Sequence, residues 1–486
     1  MKEHLKRIIS CIVFLGILVF SLSKINALLE PKYYTRNSPW PTTSTYRQFY
    51  EMDENSVDVL FLGSSVGVNA FIPQEIYNEY GIRSYNLCSE QQSLFLSYYW
   101  LREALRFQEP RAVVLDTRFM WKWHPEDPIN TTEELTRKCL DPMKWSEVKR
   151  EAVHTLCEPD PSQSELSYYL TNIRFHSRWM DLKEYDFMQD RVSSSELKGY
   201  GPLTGKGRDE YWGFEPEDPY ETMEFVPLMQ EYLDKIVDLC RENNISLILL
   251  DLPGNNMNDA VNNTKTAYAE QNGIAYYNLC TYDNYFKIGA SLPEENVVEH
   301  ENIWGAIKMS SFIGGILRDE YGIQSVTDEQ YENTRDYFEM VKSCAYLSEI
   351  EDPAEYLSAI NDPDYAVIFA GHGNFDLEDN VRVQLSALGL ENDFSEPKSY
   401  CASIIDGNIS EESSAETTVN LIGCFRNRNS IFFANSGGEM QGSISSIEID
   451  GEEYSHDYGG LNIVVYDITE EKVIDSVLLV GDRLDR

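Results

Sequence analysis

The sequence predicts an α/β fold, a doubly wound parallel sheet, with a membrane segment before it and a smaller β-rich domain after it. Three observations carry this. Between residues 57 and 321, short apolar runs alternate with helical periodicities, the pattern of parallel strands covered by helices on both faces. From about residue 363, and most visibly after 400, the composition shifts to short β-prone runs rich in Ser, Gly and Asn. At the N-terminus a basic cluster precedes a nearly unbroken apolar run.

Taken in order, Lys2, Lys6 and Arg7 come before the apolar residues 8–22. Extension to residue 29, interrupted by Lys24, approaches the roughly 20 residues that cross a bilayer. The cluster predicts a cytoplasmic N-terminus and a single-pass protein of the plasma membrane with an extracytoplasmic body. Residues 1–29 are then an uncleaved anchor or a signal peptide. Ile25, two before Ala27, makes a poor cleavage site and favours the anchor. Residues 30–54, with Pro31, Pro39 and Pro41, read as a stalk. The formal net charge is −41 over 486 residues. With no basic stripe to replace phosphate counterions, duplex nucleic acid is not an expected partner.

Strands are expected at 57–62, 83–87, 112–116, 246–252 and 274–279. Helices are expected at 73–80, 93–107, 225–242 and 307–321. Residues 117–224 are too long for an ordinary connection and carry Trp121, Trp123, Trp145, Trp179 and Trp212. This insertion is either a satellite helical core or an aromatic wall for a sugar acceptor.

The strand at 57–62 runs into Gly63-Ser64-Ser65, and the helix at 307–321 follows His300-Glu301-Asn302-Ile303-Trp304-Gly305. Hydroxyl residues just past the carboxyl end of a buried parallel strand sit where such sheets bind ligands. Together the two blocks resemble the SGNH/GDSL hydrolase family, over residues 55–322 of a domain spanning about 55–330. The nearest branch holds the D-alanyl transfer protein of teichoic acid synthesis and the envelope polysaccharide O-acetyltransferases. The resemblance places Ser65 on the nucleophile and His300 on its base. It implies an esterase or O-acyltransferase acting on cell-envelope glycan or glycopolymer, with no metal and no dissociable cofactor.

The chemistry agrees with those residue types. A serine hydroxyl is a weak nucleophile until a base takes its proton, and imidazole titrates in the right range. Three positions depart from the family pattern. Val297 occupies the place of the acid, leaving Glu299, Glu295 or Glu294 to orient His300, with Glu299 the first candidate. Asn86-Leu87-Cys88 replaces Asn-Leu-Gly, so the Cys88 N–H is an oxyanion candidate. Asp116-Thr117-Arg118 replaces the block with a side-chain amide donor, which makes Arg118 the other candidate. These departures keep a second reading open: a non-catalytic, carbohydrate-binding surface protein.

Residues 331–362 read as a helical linker. In 363–486, the segments Gly460-Leu-Asn-Ile-Val-Val-Tyr-Asp467 and Val473-Ile-Asp-Ser-Val477 resemble the interleukin-like EMT inducer domain, also called PANDER-like. The resemblance implies a compact β-rich fold, of which some members bind sugars. Tyr454, Tyr458 and Phe433 are the candidates for stacking on a sugar, and a structural cap that binds nothing is the alternative. The nine cysteines show no metal-site spacing. Cys401 and Cys424 are either a disulfide pair or unpaired thiols.

Overall fold

The structure, a computed structural model, describes residues 2–30, 45–120, 133–160, 162–182, 184–187, 195–207, 214–253, 257–289, 295–297, 300–373, 375–394, 398–426, 429–456 and 459–486. The chain divides into two units, residues 1–334 and 335–486.

The first unit begins with α1 (Lys2–Leu29), a helix of 28 residues, and α2 (Thr45–Phe49). The stretch from His4 to Leu29 is long and apolar enough to cross a membrane. The sheet then builds up as β1 (Val59–Leu62), α3 (Ser65–Ala70), α4 (Pro73–Tyr80), β2 (Ser84–Asn86), α5 (Leu94–Ala104) and β3 (Ala112–Asp116). The insertion supplies α6 (Glu133–Leu140), α7 (Glu147–Cys157) and α8 (Asn172–Phe175). The sheet resumes with α9 (Pro227–Glu242), β4 (Ser246–Asp251), α10 (Asp259–Asn272), β5 (Ala275–Asn278) and α11 (Tyr282–Ile288). A short hairpin of β6 (Asn296–Val297) and β7 (His300–Glu301) leads into α12 (Ile303–Asp319), and α13 (Glu329–Glu332) ends the unit.

The five strands lie in the order β2-β1-β3-β4-β5, all parallel. Successive side chains of a strand point to opposite faces. Leu60, Leu62, Val113, Leu115, Leu247 and Leu249 accordingly enter one core, with residues of α5 and α9. Val59, Phe61, Ala112, Val114, Ile248 and Leu250 enter the other, with residues of α3, α4 and α12. Both faces are covered, which is why β1 and β3 are buried at every position.

One sequence expectation changes here. The second half of the expected stalk is core: Tyr46 and Phe49 are 3% and 1% exposed, and the Tyr46 ring stacks on Trp100 at 4.2 Å between centroids. Aromatic burial there outweighs the polar, proline-rich composition around it. The described part of the insertion extends the same core, with Cys139, Leu140, Val153 and Leu156 buried. Trp145 and Trp179 are exposed. Trp121, Trp123 and Trp212 lie outside the described residues.

The second unit opens with α14 (Arg335–Glu349) and α15 (Pro353–Ala359). These helices, read in the sequence as a linker, belong to this unit. They are followed by β8 (Tyr365–Gly373), α16 (Asp379–Ala387), β9 (Lys398–Ile405), β10 (Asn408–Ser414), β11 (Val419–Cys424) and β12 (Ile431–Gly437). β13 (Ile444–Ile449), β14 (Glu452–Glu453), β15 (Gly460–Asp467), β16 (Lys472–Val480) and β17 (Arg483–Asp485) complete it. A six-stranded sheet, β10-β9-β8-β15-β16-β17, packs on a four-stranded one, β11-β12-β13-β14. Ala366, Ile368, Val464 and Tyr466 of the first meet Phe432, Ala434, Ile447 and Ile449 of the second. The expected pair of strands at 461–466 and 473–479 is the β15–β16 hairpin. Cys401 and Cys424 are both free thiols, Cys401 buried and Cys424 exposed. One faces the core and the other solvent, so the structure holds them as the separate, unpaired thiols of the second alternative.

Candidate active site

The sheet brings its two ends together at the carboxyl edge of β1. Gly63 makes the turn with φ of +147°, and a Cβ there would lie 2.4 Å from the Asp116 Cβ. Only glycine fits a turn pressed this closely against β3. Ser64 then caps α3 in extended conformation and Ser65 is the first helical residue. At the other end, the β6–β7 hairpin presents His300 just before α12. His300 Nε2 lies 2.9 Å from Ser65 Oγ, across 235 positions of sequence.

Each partner is fixed by its neighbours. Asn302 begins α12 by accepting from the N–H groups of Trp304 and Gly305, both at 3.1 Å. A cap of this kind contributes about 1 kcal/mol and sets where the helix starts, and hence where His300 stands. On the serine side, Asn86 donates to the Gly67 and Phe71 carbonyls at 2.8 and 2.9 Å, tying α3 to β2.

The sequence reading took Asp116 only as the residue standing where an amide donor was expected. It is instead the buried post under the serine turn. Its carboxylate accepts from the Ser64 N–H at 3.0 Å, from the Ser64 hydroxyl, and from the Arg118 N–H at 2.9 Å. Burial pushes its pKa up, against the pull of these donors. The adjacent serines therefore divide their bonds: Ser64 faces Asp116, and Ser65 faces His300. The signal available was a lone Asp at the end of a buried strand, where an unpaired carboxylate would be costly.

A second missed feature is the strap at 198–207, late in the insertion. The Lys198 carbonyl accepts from the Asn86 N–H, the Gly201 N–H donates to the Val68 carbonyl, and Asn69 donates to the Gly201 carbonyl. Farther on, the Ile303 N–H donates to the Leu203 carbonyl and Asn302 donates to the Gly205 carbonyl. The strap thus runs from β2 past α3 to the start of α12, along one side of Ser65 and His300.

The other expected residues fall out as follows. The Cys88 N–H donates to the Asn86 side chain at 3.0 Å, and Cys88 Sγ packs against Gly67. That N–H is already engaged within its own loop. Arg118 lies just past the β3 edge, half-buried. Val297 is the cross-strand neighbour of His300. Glu295 is buried and ion-paired with Lys308. Glu299, Glu294 and Tyr458 lie outside the described residues. In the second unit Tyr454 is partly buried against the core. Phe433 is half-buried on β12. Among the described residues no group of His, Cys, Asp and Glu is arranged to hold a metal ion. No protein-family model matches the chain, and no curated protein matches it.

Proposed function

We propose that the protein is a membrane-anchored, extracytoplasmic esterase or O-acyltransferase of SGNH type that acts on cell-envelope glycan or glycopolymer. The observation that carries the reading is the Ser65–His300 hydrogen bond of 2.9 Å at the carboxyl edge of a parallel sheet. The strand order β2-β1-β3-β4-β5 and helices on both faces agree with a doubly wound domain of that family.

In the proposed reaction Ser65 Oγ attacks the acyl carbonyl while His300 Nε2 takes the hydroxyl proton. The Ser65 N–H and the Arg118 guanidinium are the donors assigned to the oxyanion. Collapse expels the donor oxygen, which takes the proton back from His300, and leaves an acyl ester on Ser65. His300 then deprotonates the accepting hydroxyl, of sugar or water, and the second collapse frees Ser65. Asp116 is a positioning residue: by holding Ser64 it fixes the turn from which Ser65 points.

One observation favours a second reading, a non-catalytic glycan-binding protein: the apolar Val297 beside His300. Fluorophosphonate labelling of the purified full-length chain separates the two. Catalysis predicts one adduct, on Ser65, that disappears in Ser65→Ala and drops sharply in His300→Ala. Absence of any adduct, with glycan binding unchanged in Ser65→Ala, favours the binding protein.

A further inference from the structure

We infer that residues 166–182 and 184–187 form a lipid-contacting surface, seated at the headgroup boundary beside the base of α1. The inference rests on the anchored reading of α1. Leu166, Leu170, Ile173, Trp179, Met180 and Phe187 are 41–67% exposed. Among the described residues they make up six of the eleven large apolar side chains that the first unit exposes outside α1. A cluster of that kind on one short segment is a contact surface rather than scatter.

The segment is bonded to α1 itself, and at a defined level. Asn26 Oδ1 accepts from the Thr171 hydroxyl at 2.9 Å and from the Asn172 N–H at 2.8 Å. Arg178 donates to the carbonyls of Leu29 and Glu30, both at 2.9 Å, capping the end of α1. Residues 8–25 of α1 rise about 27 Å, close to the ~30 Å of a hydrocarbon core. Their end coincides with Lys24, whose long stem can carry its charge to the interface. Asn26, the residue that holds 171–172, is therefore at the headgroup boundary, and Arg178, next to Trp179, is held about one helical turn farther out, at Leu29 and Glu30. Tryptophan belongs there, having an apolar body and one polar N–H.

Apolar contact, not charge, must supply the attraction. The chain carries a net −41, so an anionic bilayer repels the body as a whole. Arg174 and Arg178 are already paired, with Glu133 and Asp186. The contact should be as firm in concentrated salt as in dilute salt. Its consequence is orientation: a helix alone lets the body swivel, and a second seated segment fixes which face meets the wall.

The test is depth-dependent quenching of Trp179 in the full-length protein. The chain is reconstituted into phosphatidylcholine vesicles with a minority of phosphatidylglycerol, brominated near the glycerol end of the acyl chains. The Trp179 signal is the emission difference between wild type and Trp179→Phe, a substitution at an exposed site that leaves the core untouched. At a depth of about 5–10 Å the difference signal should fall by roughly half, equally in low and high salt. Protein that floats with the vesicles while Trp179 stays unquenched overturns the inference and leaves the anchor intact. Quenching abolished by salt also overturns it, and protein that does not float overturns both. Trp179 shielded by a second copy, seen as a dimer lost in Trp179→Glu, assigns the surface to self-association and counts against lipid.

Discussion

The carboxyl edge of the parallel sheet and the interior of the β-sandwich both bury polar side chains, and they use them differently. At the sheet edge the buried groups include Asp116, Asp251, Glu301, Asn86 and Asn302, each at most 3% exposed. In a parallel sheet every strand ends on the same side, so groups from distant sequence converge there. In the sandwich the buried polar groups are mostly neutral and act as ties. Ser436 donates to the Gly371 carbonyl, and Ser445 donates to the Ala370 carbonyl while accepting from Asn462 at 2.9 Å. Each tie joins one sheet to the other and is satisfied locally. Convergent ionisable groups suit chemistry, whereas locally satisfied neutral ones suit a rigid module.

The sharpest test of this contrast pairs one change in each region. Under the proposed mechanism Ser65→Ala should lower the turnover of an activated ester by about 10⁴-fold or more, since it removes the nucleophile itself. Phe432→Ala, in the sandwich core, should cost about 3–5 kcal/mol of stability in the second unit. It should leave the fluorophosphonate labelling rate of Ser65 unchanged. A comparable loss of labelling would erase the division of labour.

Next in size is the Asp251–Lys265 pair, 2.6 Å apart and at most 2% exposed, with the Tyr276 hydroxyl also donating to Asp251. Asp251→Ala strands a buried ammonium and should cost about 3–5 kcal/mol in urea denaturation. The double variant Asp251→Leu with Lys265→Met should recover much of it, because the desolvation cost goes with the charges. No recovery would mean that the pair does more than neutralise itself.

How much of this was legible in the sequence depended on whether burial or pairing decided the structure. β1 and β3 were legible because strands buried on both faces are apolar throughout. The 73–80 helix was legible from its proline start and glycine end. α3 was not: Ser-Val-Gly-Val-Asn-Ala has poor helix propensity, and the turn exists because Gly63, Ser64 and Asp116 pack together. α10 was missed because much of its length is Asn and Thr. α14 was read as a linker although Phe338, Val341, Ala345 and Leu347 give it a buried face. The Ser65–His300 pairing was legible from two short blocks. The Asp116 post and the 198–207 strap were not, because hydrogen bonds between residues far apart in sequence leave no local periodicity.

The two serines offer a finer test. Ser64→Ala removes one hydrogen bond to Asp116 and should cost about 1 kcal/mol, while Ser65 still labels. Asp116→Ala leaves the Ser64 and Arg118 N–H groups without their acceptor, at about 1–3 kcal/mol each. It should also slow labelling, and Asp116→Asn should restore part of the rate because its amide oxygen can still accept from Ser64. If Ser64→Ala abolishes labelling and Ser65→Ala does not, the assignments of the two hydroxyls are reversed.

The most gradual effect, spread over about two pH units, concerns the pH response of the strap. Lys198, at its start, is 1% exposed, and burial pushes its pKa down to about 7 against the weaker pull of Glu196 and Asp328. Its ammonium donates to the Thr334 hydroxyl at 2.5 Å and lies 4.5 Å from the centre of the Tyr331 ring. In the unfolded chain the same lysine holds its proton up to its ordinary value of 10.5. Between these two values the unfolded state binds the extra proton, so stability must rise with pH there, by up to about 1.4 kcal/mol per pH unit. The sandwich behaves oppositely and elsewhere: burial raises the pKa values of Asp467 and Asp475, so its linked stability is lost on the acid side, as pH climbs through the carboxylate range. Urea midpoints of the first unit should therefore increase from pH 7 to pH 9, and Lys198→Met, which keeps the stem and removes the charge, should flatten that rise. A wild-type midpoint that does not move, or a slope that survives in Lys198→Met, would show that the strap is held by its backbone bonds alone and that its lysine stays charged.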